Sequence, residues 1–365
     1  MVVISLWIRQ QTGEGNEHMM KKWRGPLLLL AILLFLFYPL DYYISKPGGA
    51  YELSPIVQVE NQDAGDEGEL RLLTIALSKA TPATYLYQRL KDPEHLMEAN
   101  QIRREDEDDE AYEVRQLKLM SNSQLNAIKV AYEKTGEPYE LINNGLFIYS
   151  VVKGSPADGK LRPGDRIVAI DGNGDVSETA LQEFILTKDV GDTIELTVQR
   201  DGETREEQIQ LGSIEEIPDR PAVGISYQQD QQITTDRDVS FESEEIGGPS
   251  AGLMFTLEIM NQLLEEDLTK GYKIAGTGEI LEDGKVGRIG GIDLKVVAAS
   301  DEDVDFMFAP DDTIDPEILK QNPDLVSNYQ LAVDTKEKLG LDLEIIPVKT
   351  IDDALDYLEK LPPKS

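Results

Sequence analysis

Cysteine is absent from the 365-residue chain, and histidine occurs only twice, as His18 and His95. The lack of cysteine excludes a cysteine nucleophile, a disulfide framework and a cysteine-based zinc site. A Ser-His-Asp triad would have to use one of the two histidines. His18 precedes an apolar N-terminal run, and His95 lies in a polar region. If the chain catalyses hydrolysis, we therefore expect its general base to be a residue other than histidine.

Positive charge is also scarce. The chain carries 35 Lys and Arg against 69 Asp and Glu, for a formal net charge of -34 at pH 7. Such a chain is repelled by phosphate groups, so nucleic-acid binding is disfavoured, and the simplest explanation of the acidity is solubility. The length and the hydrophobic content of 40% are typical of a soluble body of two to three domains.

Nucleotide and metal motifs are missing as well. The nearest approach to a phosphate-binding loop, residues 278–286, has the wrong spacing and ends in Val286 instead of a hydroxyl residue. Residues 276–278 lack the third glycine of a dinucleotide fingerprint. The acidic run at residues 105–110 lacks the pattern of a calcium loop, so a solvated loop or helix end is favoured. We expect no cofactor and no bound metal.

The N-terminal part contains a long apolar run. Residues 27–40 are almost all Leu, Ile, Phe and Ala, and residues 23–45 together are long enough to cross a bilayer. Basic residues precede the run, which predicts a single transmembrane helix with residues 1–22 in the cytoplasm and the bulk of the chain outside. Residues 1–18 are interpreted as an upstream start-site extension. The alternative is a cleaved signal peptide, although no small-x-small cleavage site follows the run.

Residues 46–127 are expected to form a membrane-proximal extracytoplasmic region. A strand pattern covers residues 70–77, and helical patterns cover residues 82–104 and 123–134. No motif in this region indicates chemistry.

A compact pattern of strands and turns occupies residues 145–211. Strands are predicted at 145–152, 166–170, 193–200 and 203–211, with a helix at 177–187. The chain reads Gly-Ser-Pro-Ala at 154–157, Leu-Arg-Pro-Gly-Asp-Arg-Ile at 161–167 and Ile-Asp-Gly at 170–172. These motifs closely resemble those of a bacterial PDZ domain.

The resemblance implies a PDZ domain over residues 128–213 that binds peptides by adding them as a strand to a sheet edge. The usual Gly-Leu-Gly-Phe loop, which binds a terminal carboxylate, is not found ahead of Gly145, where residues 135–140 occupy the corresponding stretch. Strict recognition of C-terminal carboxylates is therefore not expected.

A candidate nucleophile lies at Ser250. Gly247, Gly248 and Pro249 precede it, and a helical pattern follows over residues 251–265. This order predicts a sharp strand-to-helix turn with Pro249 at the helix start, and free N–H groups near the serine. An oxyanion could be held there, which makes Gly247 and Gly248 candidates for an oxyanion-binding turn. The alternative is an ordinary N-cap serine.

A candidate base lies at Lys295, within the apolar helical pattern of residues 292–299. A lysine in that setting either extends to water or is buried, and burial lowers the amine pKa. A neutral amine can accept the proton of a serine hydroxyl. Thr277 could hold the amine in place; the alternative is a hydroxyl satisfied at a strand end.

Three motifs occur in a fixed order: Gly-Pro-Ser-Ala-Gly at 248–252, Thr-Gly-Glu-Ile at 277–280 and Ile-Gly-Gly-Ile-x-x-Lys at 289–295. Together they strongly resemble the proteolytic domain of Lon proteases, over about residues 222–362. That family uses a Ser-Lys dyad.

The resemblance implies that Ser250 is the nucleophile, Lys295 the base and Thr277 the residue that supports the lysine. The chain departs from the pattern at Gly247, where many Lon enzymes carry an aspartate that can occlude the site. Less gating is therefore expected here.

We expect an α+β multidomain protein with an N-terminal transmembrane helix, a PDZ domain and a Lon-type α/β proteolytic domain. The arrangement resembles the membrane-anchored, PDZ-containing Lon-like proteases of Gram-positive bacteria. It implies a serine endopeptidase of the cell membrane that faces outward and cleaves peptides or exported proteins. Nothing in the chain resembles the Lon ATPase domain, so ATP-independent action is expected. Lon domains often form rings, so homo-oligomers are a further expectation.

Two other functions remain as alternatives. The first is a catalytically silent PDZ scaffold that binds exported proteins, against which the intact Ser250, Thr277 and Lys295 argue. The second is a hydrolase of small acyl substrates, which the PDZ resemblance disfavours.

Overall fold

The computed structural model describes residues 23, 25–30, 32–62, 67–104, 107, 109–214, 217–242 and 247–364. The chain forms two compact units, Met1–Lys46 with Ala76–Ile102 and Pro47–Ile75 with Arg103–Ser365. The predicted cytoplasmic segment and start-site extension within residues 1–22 lie outside the described residues, as does part of the acidic run at 105–110.

The first half of the chain alternates strands and helices. Its elements are β1 (Tyr42–Glu52), β2 (Val57–Val59), β3 (Glu69–Lys79), α1 (Pro82–Lys91), a 3₁₀-helix (Pro93–His95), β4 (Leu96–Glu98), α2 (Ala99–Ile102), α3 (Asp109–Thr135), β5 (Tyr139–Val151), β6 (Arg166–Ile170), α4 (Glu178–Leu186), β7 (Thr193–Arg200), β8 (Glu203–Gln210), β9 (Gly212–Ile214) and β10 (Ile217–Ala222).

The second half continues the alternation. Its elements are β11 (Ile225–Thr235), β12 (Val239–Phe241), α5 (Gly252–Leu263), β13 (Lys273–Gly276), β14 (Glu279–Ile280), β15 (Val286–Gly287), α6 (Ile292–Asp301), β16 (Phe306–Pro310), α7 (Pro316–Gln321), α8 (Asn328–Leu339), β17 (Glu344–Val348) and α9 (Ile351–Lys360).

The apolar N-terminal run is helical at residues 25–30 and 32–36, and the chain enters β1 at Tyr42. Across the part of the chain that can be described, no helix combines the length and apolarity needed to span a membrane. The predicted helix over 23–45 is therefore wrong at its C-terminal end. Pro39 cannot continue a helix, and Tyr43 and Ile44 are buried in β1, which suits their strand propensity.

The smaller unit is held together by a short antiparallel pairing in which Tyr42–Ile44 of β1 face β4. Backbone bonds from Leu40 to Ala80 and from Ala80 to Tyr42 tie the start of β1 to the end of β3. Thr81 then caps α1 with a capping box. The strand predicted at 70–77 is confirmed as part of β3, whereas the helical pattern over 82–104 is interrupted by β4.

The PDZ-like part is an antiparallel sheet in the order β11-β5-β6-β7-β8. The predicted strands at 166–170 and 193–200 are confirmed as β6 and β7. Alternate residues of β7, among them Leu196, are buried in one apolar cluster together with Ile167 of β6 and Leu181 of α4.

One of the two outer strands of that sheet is β11, which the sequence assigned to the proteolytic domain. It pairs with β5 from Ile225 opposite Val151 to Thr235 opposite Tyr139. Residues 135–140, the stretch assigned to the carboxylate loop, instead end α3 and begin β5. Gly224 precedes β11 with φ of 81°, and a Cβ there would lie 2.2 Å from the Cβ of Ser155. Glycine is therefore required at this entry to the strand.

The proteolytic part is built on parallel strands in the order β17-β16-β13-β3. Leu70 and Leu72 of β3 are almost fully buried in the same cluster as α5. This sheet therefore includes residues from well before residue 222, the start predicted for the domain. Parallel pairing needs a covered sheet, and α5 supplies that cover because all of its residues are buried.

Helix α3 is continuous from Asp109 to Thr135, so the predicted limit at residue 128 falls inside it. Its buried residues Met120, Ala127 and Val130 join the core that surrounds α5. The helix therefore packs with the proteolytic part even though it leads directly into the PDZ sheet.

We predict that Leu72→Ala lowers the free energy of unfolding by about 2–5 kcal/mol, because it leaves a cavity in the proteolytic core. The matched control is Leu186→Ala, at a leucine that is 62% exposed at the end of α4, which should change stability by less than about 0.5 kcal/mol. Chemical denaturation of both variants measures the difference. Equal, small effects would show that β3 is not part of this core.

Candidate active site

Ser250 lies in a turn just before α5. The helix begins at Gly252, with Ala251 as an N-cap residue whose side chain makes no capping bond. Ser250 is therefore not the N-cap residue of α5. Pro249 was predicted to occupy the first helical position, but it lies outside the helix. The chain is diverted before the helix starts because the carbonyl of Ser250 accepts two hydrogen bonds from residues 277 and 278.

These two bonds lock the serine turn to the Gly-Thr-Gly stretch. The N–H of Gly278 donates to Ser250 O at 2.9 Å, and Thr277 Oγ1 donates to the same oxygen at 3.0 Å. In return, Leu253 N–H donates to Gly278 O at 3.0 Å. A Cβ on Gly278 would lie 2.5 Å from a methyl group of Val286, so this close approach requires glycine.

Lys295 reaches the serine from α6. Gly291 starts that helix in the left-handed conformation, with φ of 66°. Lys295 Nζ lies 2.8 Å from Ser250 Oγ, across 45 residues of sequence, and 2.8 Å from Thr277 Oγ1. The structure thus brings together the three side chains that sequence analysis selected.

The environment of the amine favours its neutral form. Lys295 is only 2% exposed, which excludes the alternative of a lysine that extends to water. Burial in a site of low polarity penalises the ammonium ion and lowers the pKa of Lys295 to about 7. A substantial fraction of the amine is therefore unprotonated near neutral pH, and its lone pair is free to accept a proton.

Thr277 fixes the direction of that lone pair. Its single hydroxyl proton is used on Ser250 O, so its oxygen must accept a hydrogen bond from an N–H of Lys295. With an N–H directed to Thr277, the amine can turn its lone pair toward the hydroxyl of Ser250. Thr277 is fully buried, which protects this arrangement from competing water.

The two glycines before the serine shape the turn. Gly248 has φ of 86°, and its N–H donates to the carbonyl of Gln116 at 3.2 Å, so that N–H is already used. The N–H groups of Ser250 and Ala251, by contrast, meet no acceptor among the residues that the structure describes. They stand at the N-terminal end of α5, where the helix dipole favours negative charge.

Two contacts of this turn were not predicted from the sequence. Ser123 Oγ donates to Pro249 O at 3.0 Å, and Gln116 O accepts from Gly248. Both residues lie on α3, more than 120 residues before the serine. No motif marks them, and a serine and a glutamine in a helix carry no signal that a sequence alone could reveal.

Comparison with known families agrees with these parts of the fold. A model described as the Lon protease (S16) C-terminal proteolytic domain matches residues 243–358, and a PDZ domain model matches residues 122–211. The chain thus carries a PDZ domain and a Lon-type proteolytic domain. The second of these implies a serine peptidase, and its matched span includes Ser250, Thr277 and Lys295.

Two curated relatives match the proteolytic part. The Lon protease of Metamycoplasma arthritidis is 32% identical over 111 residues, which covers 30% of this chain and 11% of the relative. The Lon protease of Endomicrobium trichonymphae is 31% identical over 116 residues, which covers 32% of this chain and 12% of the relative. The match therefore spans only about a tenth of the length of either relative.

Solved structures match the PDZ part. The PDZ domain of an SdrC-like protein from Listeria monocytogenes is 28% identical, with 24% of this chain and 92% of that chain covered and a TM-score of 0.23. The corresponding domain from Listeria innocua is 31% identical, with 23% and 92% covered and a TM-score of 0.21. At such scores the PDZ assignment rests on the family match.

We predict that Gly278→Ala lowers the free energy of unfolding by about 1–3 kcal/mol, because its methyl group must push Val286 away from the serine turn. Gly290→Ala is the matched control, since a Cβ there would meet no atom within 4 Å. Thermal unfolding of the two variants gives the comparison. If Gly278→Ala is as stable as Gly290→Ala, the close approach does not exist in solution.

Proposed function

We propose that the chain is a serine endopeptidase in which Ser250 and Lys295 act as a catalytic dyad. The observation that carries the proposal is the position of a buried amine 2.8 Å from the hydroxyl of a serine in a tight turn. A serine hydroxyl is a weak nucleophile on its own and needs an adjacent base. Lys295 lies within hydrogen-bond reach and can serve as that base.

In the acylation step, the neutral amine of Lys295 removes the proton of Ser250 Oγ as that oxygen attacks the carbonyl carbon of the scissile peptide bond. The resulting ammonium returns the proton to the leaving amine, the C–N bond breaks, and an ester on Ser250 remains. Water then attacks the ester with the same proton transfers, which releases the acid and restores the hydroxyl.

The oxyanion of the tetrahedral intermediate needs hydrogen-bond donors. The proposal assigns this role to the N–H groups of Ser250 and Ala251 at the start of α5. Gly248 is then a residue that shapes the turn, because its N–H is bonded to Gln116, and Gly247 extends the same turn.

The substrates proposed are peptides or exported proteins, with the PDZ domain presenting them or regulating access to the site. PDZ domains bind extended peptides by pairing with a sheet edge, and β11 and β8 are the outer strands of the PDZ sheet. This favours polypeptides over small acyl substrates. The contact between Lys295 and Ser250 argues against a catalytically silent scaffold.

We also propose that the chain is anchored in the cell membrane by its apolar N-terminal run, with the PDZ and proteolytic domains outside the cytoplasm. The support is the composition of residues 27–40 and the basic residues that precede them. ATP-independent action and self-association remain expectations of the family resemblance.

We predict that Ser250→Ala and Lys295→Met each lower the rate of casein cleavage by at least about 1,000-fold, since each removes one half of the dyad. Lys285→Met is the matched control, because the side chain of Lys285 is 66% exposed and pairs with an exposed acid, Asp283. Labelling of the same variants by a fluorophosphonate, which reacts with activated serines, is the second measurement of the dyad.

The pH dependence follows from the neutral amine. Below the lowered pKa of Lys295, about 7, the amine is protonated, so kcat/KM should rise about tenfold per pH unit and level off above pH 7. Full activity of Lys295→Met, or a rate that stays constant from pH 5 to pH 8, would contradict the proposed base.

For the anchor, we predict that the full chain expressed in intact bacterial cells stays in the membrane fraction after an alkaline carbonate wash. External protease should remove its PDZ and proteolytic domains. Replacing Leu30 and Ile32 with Arg should release the protein, because charged residues are costly in a bilayer. Leu186→Arg, outside the apolar run, is the control. Release of the wild-type chain by the wash would contradict the anchor.

A further inference from the structure

Helix α3 contacts the serine turn through one of its faces. Gly248 N–H donates to Gln116 O at 3.2 Å, and Ser123 Oγ donates to Pro249 O at 3.0 Å. Gln116 and Ser123 are seven residues apart, so they lie on the same side of the helix, two turns from each other. α3 thus bonds to the two residues that immediately precede Ser250.

The contact between α3 and the serine turn leaves little room for either to move alone. Ser123 is only 2% exposed, and a Cβ on Gly252 would lie 2.7 Å from Ser123 Oγ. Packed interiors of this kind transmit small displacements because they contain few voids. A shift of α3 along or around its axis must therefore move the backbone that carries the nucleophile.

Another side of α3 is tied to the PDZ sheet. Lys118 forms an ion pair with Asp230 of β11, and the second oxygen of that carboxylate pairs with Arg166 of β6. The side chains of Lys118 and Asp230 are 8% and 4% exposed. A carboxylate buried to this extent requires its cationic partners. The ion pair therefore holds α3 and β11 together.

Asp230 lies opposite a β-bulge, because the register of β11 with β5 shifts between Asp230 and Gln231 and the extra residue, Asn144, belongs to β5. The carboxylate of Asp230 pairs with Lys118, and so joins a strand of the PDZ sheet to a helix of the proteolytic core. Two further ion pairs of α3 with residues distant in sequence, Lys129 with Glu282 and Lys134 with Asp352, involve acids more than 60% exposed. Exposed pairs of that kind contribute little.

We propose that Lys118 is a positioning residue that couples strand β11 of the PDZ sheet to the reactivity of Ser250 through helix α3. The inference rests on the proposed role of Ser250 as the nucleophile. It gives the PDZ domain a regulatory role, because a peptide that pairs with the free edge of β11 acts on the strand that holds Asp230. The effect then passes through Lys118 to the face of α3 that bonds to Gly248 and Pro249.

The test compares Lys118→Met with Arg166→Met in the full chain. Each variant removes one of the two cations of Asp230 and leaves the other in place, so neither leaves the carboxylate unpaired. Methionine keeps a long unbranched side chain at residue 118, but it also removes the ammonium that lies 5.4 Å from the centroid of the Phe147 ring. The measured quantity is the second-order rate constant for fluorophosphonate labelling of Ser250, together with the unfolding temperature.

We expect Lys118→Met to slow labelling by at least about fivefold, since a misplaced nucleophile loses its aligned geometry. Arg166→Met should change the rate by less than about twofold, because the pair between α3 and β11 survives. The pH at which labelling is half-maximal should be the same in both variants, because Lys295 is untouched. A lower unfolding temperature with unchanged labelling would assign Lys118 a purely structural role and overturn the inference.

A double-mutant cycle with Ser123→Ala supplies the second readout. If Lys118 acts through the contact of Ser123 with Pro249, the effect of Ser123→Ala on the labelling rate should be smaller when Lys118 is already methionine. In the Arg166→Met background the effect of Ser123→Ala should be undiminished. Additive effects of Lys118→Met and Ser123→Ala would overturn the route through α3. Labelling that persists in Ser250→Ala would instead refute the proposed nucleophile, so the two failures are distinguishable.

Discussion

The structure of the proteolytic part depends on one costly interaction, the burial of a lysine amine that pairs with no carboxylate among the described residues. Desolvation lowers the pKa of Lys295 to about 7, and the amine is then held by two hydroxyl oxygens. Neighbouring residues position this amine: Gly291 begins the helix that carries Lys295, and Thr277 orients the amine through a hydrogen bond. An ion pair at the same position would keep the lysine charged and remove its capacity to accept a proton.

The surroundings of Ser250, the proposed nucleophile, come from parts of the chain that are far apart in sequence. The Gly-Thr-Gly stretch bonds to the carbonyl of Ser250, α6 supplies the amine, and α3 bonds to the preceding two residues. Because α3 also carries the ion pair to Asp230, the PDZ sheet and the serine turn share one rigid element. If the PDZ domain binds peptides as proposed, a domain joined in this way can influence the proposed catalysis without touching the substrate at the scissile bond.

Most of the features that could be predicted from the sequence came from short local motifs. The three short motifs around Ser250, Thr277 and Lys295 predicted a cluster that the structure forms, and the tight turns of the PDZ part predicted β6 and β7. Non-local pairing could not be predicted: nothing in the composition of β3 or β11 identifies the strands they join. The C-terminal end of the helix predicted over residues 23–45 was misplaced because strand propensity and burial at Tyr43 prevail over a hydropathy count.

Whether Lys295 is a neutral base near pH 7 is seen most directly in the titration of its own amine. The 13Cε resonance of Lys295, assigned by comparison with Lys295→Met, reports the protonation of the attached amine as pH is raised from 5 to 11. If Lys295 is a neutral base, the resonance shows a single transition with its midpoint near the lowered pKa of about 7. A midpoint close to about 10.4, the ordinary lysine value, would show that the amine is charged at neutral pH and would contradict the dyad.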